Sequence, residues 1–223
     1  MTRVVNFTKL RFLMVAISIV VVIGGIVGTV TQGGFNLGID FEAGLNQRVQ
    51  IAPVGMNIRY SGTDDATVNV EENTMVLEFR GEAGVREQSF PFSEYETIGE
   101  IVEELQANEE LEIELQADAG TQSSAIVTGL RFPEELGSEP VAVNIRNQNE
   151  NEYVAIEEVR AALDPLGSPQ VQVVGEPYNQ EFMIRIADPS GDMKDKLESR
   201  INELLEGDFG QDTVITKRSD YVG

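Results

Sequence analysis

The hydrophobic pattern begins with a long run of uncharged, mostly apolar residues, FLMVAISIVVVIGGIVGTV, from Phe12 to Val30. A helix that rises about 1.5 Å per residue would make this run roughly 28 Å long, close to the ~30 Å hydrocarbon core of a membrane. Three bases lie within the first eleven residues, and the next base is Arg48. By the positive-inside rule, the pattern predicts a transmembrane helix over 12–31, a cytoplasmic segment 1–11 and an extracytoplasmic remainder.

Two alternatives apply to this apolar run. A cleaved signal peptide has an apolar core of about 7–15 residues and an A-x-A-like cleavage site. The present run is longer and has no such site, so a retained anchor surrounded by membrane lipid is expected. Gly24 and Gly28 form a GxxxG pattern, which favours close packing of another helix. Because glycine is common in membrane helices generally, the same pattern is also expected without a packing partner.

The segment 54–149 shows alternating apolar positions typical of half-buried strands, in MVLEF (75–79), LEIEL (111–115) and VAVNI (141–145). It also contains one predicted helix, because Ser93 and Glu96 have the spacing of a capping box. After them, apolar residues recur at helical spacing, at Ile98, Ile101, Val102 and Leu105. These patterns predict a β-rich folded module rather than a long loop.

The remaining elements predict a second pattern. A strand over 45–51 ends at Pro53, and a helix at 156–163 ends before Pro165. Strands follow at 171–174 and 182–186, then a helix stopped by Gly207 and a strand at 213–216. The order β-α-β-β-α-β is typical of the ferredoxin-like fold. We therefore predict an α+β protein: one N-terminal transmembrane helix, then a ferredoxin-like extracytoplasmic domain (32–53 and 150–223) with 54–149 as a large β-rich insertion.

Composition excludes several kinds of chemistry. The 223 residues include no histidine and no cysteine. Nucleophiles and metal ligands of the imidazole or thiolate type are therefore excluded, as are disulfides. The formal net charge is −22, and residues 1–39 contain no acid. The acidity therefore belongs to the extracytoplasmic part, which repels phosphate, so a nucleic-acid partner is not expected.

The acidic pairs do not predict a metal site, because no D-x-D-x-D-G loop is present and most pairs fall on helix faces or alternating strands. A membrane-anchored Ser/Lys peptidase is the enzyme alternative that needs no histidine. Lys194 and Lys196 fall in the first turns of an amphipathic helix, where solvation explains them better. We predict no catalytic residue, no metal and no cofactor.

Three motifs carry a resemblance to a known family. GIDF, at Gly38, Ile39, Asp40 and Phe41, directly follows the apolar run and precedes Gly44 and a strand. The second motif is IEEVRAALDPLGSPQVQVVG (156–175), and the third is KRSDYVG (217–223). In this order they resemble the N-terminal part of the SecF family of protein-export membrane proteins, in which GIDF lies where the outer domain meets the membrane helices.

The resemblance implies a bacterial inner-membrane protein that works without enzymatic activity. It implies SecD and the SecYEG channel as partners and exported polypeptide chains as substrates, with transport assisted by the proton gradient. Proton-handling residues are expected in further membrane helices, which the family places after the segment that ends here. The alternative is a single-pass envelope adaptor whose ferredoxin-like domain binds another protein.

Asp40 is the residue of this motif with a testable role. We interpret it as satisfying backbone N–H groups or a partner's base, while Gly38 and Gly44 allow tight turns. Asp40→Ala in the full-length protein should therefore slow export or weaken complex assembly, measured by pulse-labelled export and co-purification. Unchanged export kinetics in this variant would remove Asp40 from the functional account.

Overall fold

A computed structural model describes residues 7–31, 44–167, 169–188 and 194–222. The chain divides into two compact units, 1–41 and 42–223. The predicted GIDF residues 38–41 lie outside the described residues.

The first unit contains the helix α1, Phe7–Thr31. Its segment Arg11–Thr31 has a mean hydropathy of 2.7 and is long enough to cross a membrane. The apolar side chains from Phe12 to Val30 are exposed, including Val20 and Val21. Such a surface is stable next to lipid tails and costly in water.

The second unit contains eleven strands and three helices among its described residues. In chain order they are β1 (Gly44–Ile51), β2 (Val54–Tyr60), β3 (Asp65–Val70), β4 (Thr74–Gly81), β5 (Gly84–Pro91), α2 (Ile98–Gln106), β6 (Leu111–Leu115), β7 (Glu134–Leu136), β8 (Val141–Asn144), α3 (Ile156–Leu163), β9 (Gln170–Val174), β10 (Glu181–Ala187), α4 (Lys194–Phe209) and β11 (Val214–Val222).

An antiparallel sheet of order β11-β1-β10-β9 joins the two ends of this unit. Apolar residues alternate along its strands, so that Val49 of β1 lies opposite Phe182 of β10. These side chains pack against α3 and α4 through residues such as Leu163 and Leu205. We call this cluster the sheet–helix core.

A second cluster, the strand-rich core, lies within residues 56–145. Two sheets, of order β6-β2-β8 and β5-β4-β3-β7, bury apolar side chains together with α2. Phe79, Phe90 and Leu105 are among its fully buried members. The predicted strands at 75–79 and 111–115 and the predicted helix are present as β4, β6 and α2. The strand at 141–145 is present as β8, but it is buried on both sides rather than half-buried.

The predicted capping box is wrong by one turn. Thr97, not Ser93, is the N-cap of α2: its hydroxyl accepts from the Glu100 backbone N–H at 3.3 Å. The Glu100 carboxylate in turn accepts from the Thr97 backbone N–H at 3.0 Å. Both pairs have the S/T-x-x-E spacing, so sequence spacing alone did not decide between two adjacent candidates.

The predicted stop of the last helix is also wrong. Gly207 lies inside α4, which continues to Phe209. Gly210 ends the helix: it has φ +113°, and its N–H donates to the Glu206 carbonyl at 3.0 Å. A left-handed residue with this bond is a common helix terminus, and glycine adopts that conformation without a Cβ clash.

These two glycines should respond to alanine in opposite directions. Gly207→Ala should raise the free energy of unfolding by about 0.5–1 kcal/mol, because an exposed helix interior gains from a Cβ. Gly210→Ala should lower it by roughly 1–2 kcal/mol, because φ is left-handed there. Urea denaturation of the full chain in detergent micelles, followed by circular dichroism, measures both. Equal effects of the two substitutions would contradict this assignment of the helix end.

Candidate functional site at the junction of the two cores

The two cores of the second unit meet around the side chain of Asn144, the last residue of β8, which is fully buried. Its amide nitrogen donates to the Ala52 carbonyl at 2.8 Å and to the Asp212 carbonyl at 2.6 Å. Ala52 follows β1, and Asp212 lies in the turn between α4 and β11. One amide group therefore ties the strand-rich core to two separate segments of the sheet–helix core.

The guanidinium of Arg131 completes this network. One of its terminal nitrogens donates to the Asn144 side-chain oxygen at 2.7 Å and to the Ala142 carbonyl. Its Nε lies 3.5 Å from a carboxylate oxygen of Glu134. Burial lowers the pKa of Arg131 from its ordinary value, and the neighbouring carboxylates, first that of Glu134, oppose that shift. Arg131 therefore acts as a largely desolvated, fixed cation.

A carboxylate on α4 lies near the same network. Burial raises the pKa of Glu206, the carboxylate of Asp212 raises it further, and the Arg131 guanidinium opposes both effects. Asp212 has φ +57°, a left-handed conformation that costs free energy for a residue with a Cβ. The turn before β11 is held in that conformation by the bond from Asn144.

The segment 127–130 lies against β11 and closes the junction. Val127 packs with Ala52 and Ile215 in a small apolar cluster, and the Leu130 N–H donates to the Thr216 carbonyl at 2.8 Å. A Cβ at Gly129 would lie 2.4 Å from the Ile215 Cγ2. The close approach of these two segments therefore requires glycine at this position.

Lys217 adds a further polar contact at this junction. Its Nζ donates to the Thr128 carbonyl at 2.6 Å. Burial lowers the pKa of this ammonium group, Glu181 opposes the shift, and Arg48 and Arg146 add to it. Lys217 thus serves to bind a backbone carbonyl, and that contact favours a structural role over that of a base for a serine.

A cleft of about 170 Å³ opens beside Lys217, between the two cores. One wall carries Gln50 and Glu181 from the sheet–helix core; the opposite wall carries Glu71, Glu72, Ser124 and Arg146. Arg48 donates through Nε to a carboxylate oxygen of Glu181 at 2.8 Å. Arg146 donates to the Ser124 carbonyl at 2.7 Å, so the cations of this cleft bind backbone carbonyls within the unit.

The sequence-predicted residues lie elsewhere. Gly38, Ile39, Asp40 and Phe41 fall outside the described residues, so their role stays a prediction. Gly44 begins β1, and a Cβ there would lie 2.2 Å from the Ile186 carbonyl oxygen, so this strand pairing requires glycine.

Gly24 and Gly28 lie on α1, and a Cβ at either would meet no atom within 4 Å. Close packing of another helix against these two glycines stays a prediction. No group of three or more Asp or Glu residues suited to a metal ion occurs among the residues that the structure describes.

Sequence reasoning missed Asn144 and Arg131. In VAVNI the apolar residues Val141, Val143 and Ile145 alternate, a pattern that predicts a half-buried strand and gives Asn144 no buried role. Contact with Ala52 and Asp212, on the side of the sheet–helix core, buries it. A lone asparagine in an outward position carries no sequence signal of such a contact.

Removing the Asn144 amide should weaken this junction. Asn144→Ala should lower the free energy of unfolding by about 1–3 kcal/mol, because two carbonyls and a guanidinium lose a buried partner. The control Asn151→Ala removes an exposed amide and should change it by less than about 0.5 kcal/mol. Urea denaturation of the full chain measures both variants. A loss for Asn144→Ala no larger than that for the control would show that the junction does not depend on this amide.

Comparison with known proteins gives the relationship of the chain. Neither a family model nor a solved structure matches it. A curated protein, protein translocase subunit SecF of Treponema pallidum (strain Nichols), is 27% identical over 247 aligned residues. The alignment includes all of this chain and 58% of the relative, so the chain spans a little over half of that protein's length. The resemblance predicted from the three motifs is confirmed: the chain is similar, along its whole length, to part of a SecF translocase subunit.

Proposed function

We propose that the chain is the membrane anchor and first extracytoplasmic domain of a SecF-type translocase subunit in the bacterial inner membrane. The observation that carries this proposal is the similarity to SecF along the whole chain. In this role, α1 crosses the membrane with its N-terminus in the cytoplasm, and the unit from Glu42 onward works outside, where it assists export driven by the proton gradient.

The sheet–helix core supports a ferredoxin-like domain. Its first, second, third and fourth strands in chain order are β1, β9, β10 and β11, and the sheet order is therefore fourth, first, third, second. Helices α3 and α4 follow the first and third of these strands and contribute to the same apolar cluster. This is the arrangement of two interleaved split βαβ units. Residues 54–149, which carry the strand-rich core, then form an insertion between the first strand and the first helix.

The proposed work is polypeptide contact without covalent chemistry. The cations Arg131 and Lys217 at the junction of the two cores bind backbone carbonyls. They serve to hold the insertion on the ferredoxin-like domain. Binding of exported chains, SecD and the SecYEG channel then falls to the outer surfaces and sheet edges of this rigid unit.

Affinity capture and export kinetics test the proposal. The tagged full-length protein, cross-linked in the membranes of its own cells, should co-purify with SecD and the channel, and its depletion should slow release of exported proteins. A tagged, unrelated single-pass protein at equal abundance is the control. Capture of neither partner, together with normal export after depletion, would contradict the proposed function and favour an adaptor role.

A further inference from the structure

The four-stranded sheet of the insertion has one face in the strand-rich core and one face outside. Val68, Leu77 and Phe90 lie on the buried face. The outer face carries a groove of about 440 Å³, lined by residues of β3, β4 and β5 together with Pro133. Among the described residues of the second unit, no helix or strand covers this face. The outer face is therefore a surface on which another chain could bind.

Strand register places three glutamates in one row across this face. Glu87 of β5 pairs with Glu78 of β4, Glu78 pairs with Thr67 of β3, and Thr67 pairs with Glu135 of β7. Neighbouring strands lie about 4.8 Å apart. Like charges directly opposite one another destabilise a sheet, as for Glu78 and Glu87. The repulsion between these carboxylates lowers the stability of the folded sheet. A cation bound over the row would reduce that repulsion.

The protein supplies only part of that positive charge. Arg80 is the single base among the residues that line the groove, and it contacts Glu78 at 2.6 Å. Asp65 and Glu71 add further negative charge to the same lining. The surface therefore complements lysine or arginine side chains.

The strand β5 gives this surface a free edge. It pairs with β4 along one side, and no strand pairs with its other side among the described residues. Most of its residues are exposed, and Val85 is 60% exposed. An edge strand presents N–H and C=O groups that can pair with an added extended chain.

We propose that the β5 edge together with Glu87 and its neighbour Glu78, which we call the acidic edge, binds an extended polypeptide segment with basic residues at alternate positions. In an added fifth strand, every second side chain points to the outer face. A lysine or arginine there lies beside Glu87 and continues the row. A second copy of this chain fits worse, because β5 against β5 brings like acidic faces together.

This inference deepens the proposed function and rests on it only in taking the natural ligand to be an exported chain. The binding of a basic strand is inferred only from the strand register, the unpaired edge of β5 and the negative charge of the outer face. The two are therefore tested by different measurements.

Peptide binding to the full chain in detergent micelles tests the acidic edge. The probe is a labelled eight-residue peptide of alternating lysine and valine with blocked ends, followed by fluorescence anisotropy at low salt. We expect it to bind, and a glutamate–valine peptide of the same length to bind at least about tenfold more weakly, a difference of about 1.4 kcal/mol. Binding should weaken as salt shortens the screening length.

Matched charge variants locate the site. The double variant Glu78→Gln and Glu87→Gln should reduce affinity by about tenfold or more. The control pair Glu103→Gln and Glu104→Gln removes the same charge from exposed positions on α2 and should leave affinity within about twofold. Equal losses in both variants would show general attraction to an acidic protein and would overturn the proposal.

Peptide backbone variants test strand addition without altering the protein. N-methylation of alternate amides removes the donors along one side of the peptide, so one of the two alternately methylated peptides should lose binding. Full binding of both would overturn the fifth-strand geometry. Failure of the lysine–valine peptide to bind, with translocase capture and export intact, would refute the acidic edge and leave the proposed function standing. If the protein binds the peptide but captures no translocase subunit, the acidic edge stands and the proposed function is refuted.

Discussion

The buried amide of Asn144 is the contact on which the arrangement of residues 44–222 depends. It donates to the Ala52 and Asp212 carbonyls while Arg131 donates to its oxygen. An unpaired buried amide or carbonyl costs free energy, so these groups favour one arrangement of the segments that carry them. Because β1 runs through Ala52 and Pro53 directly into β2, the two cores share a continuous backbone at this point.

The strand order of the sheet–helix core also requires the two cores to lie together. One of its two central strands, β1, pairs with β10 and β11, whose paired residues come more than 130 positions later in the chain. The strand-rich core must therefore bring the chain back beside its own starting point. The contacts at Gly129, Lys217 and Asn144 hold that return. In this account the junction fixes the shape of the unit, and the sheet edge provides the binding surface.

Periodicity predicted those elements whose burial is local. The apolar helix α1, the helix α2 and the strands β4 and β6 follow directly from alternation or helical spacing. The strand β8 was predicted, but its burial was interpreted wrongly. Contacts with Ala52 and Asp212 help to bury Asn144, and the pattern of one strand carries no information about such contacts. Thr97 and Gly210 were missed for a related reason: two residues of suitable type lay one turn apart, and hydrogen bonds and φ angles decided between them. The row of glutamates became visible only through strand register.

The central claim is that the strand-rich core and the sheet–helix core form one cooperative unit, held together by the buried junction. Native-state hydrogen exchange of the full chain across a urea series tests it most directly. The amides of Leu77 in β4 and Ile184 in β10, one in each core, should lose protection with the same free energy and the same urea dependence. Exchange of one core through a lower-energy opening, while the other stays protected, would contradict the claim.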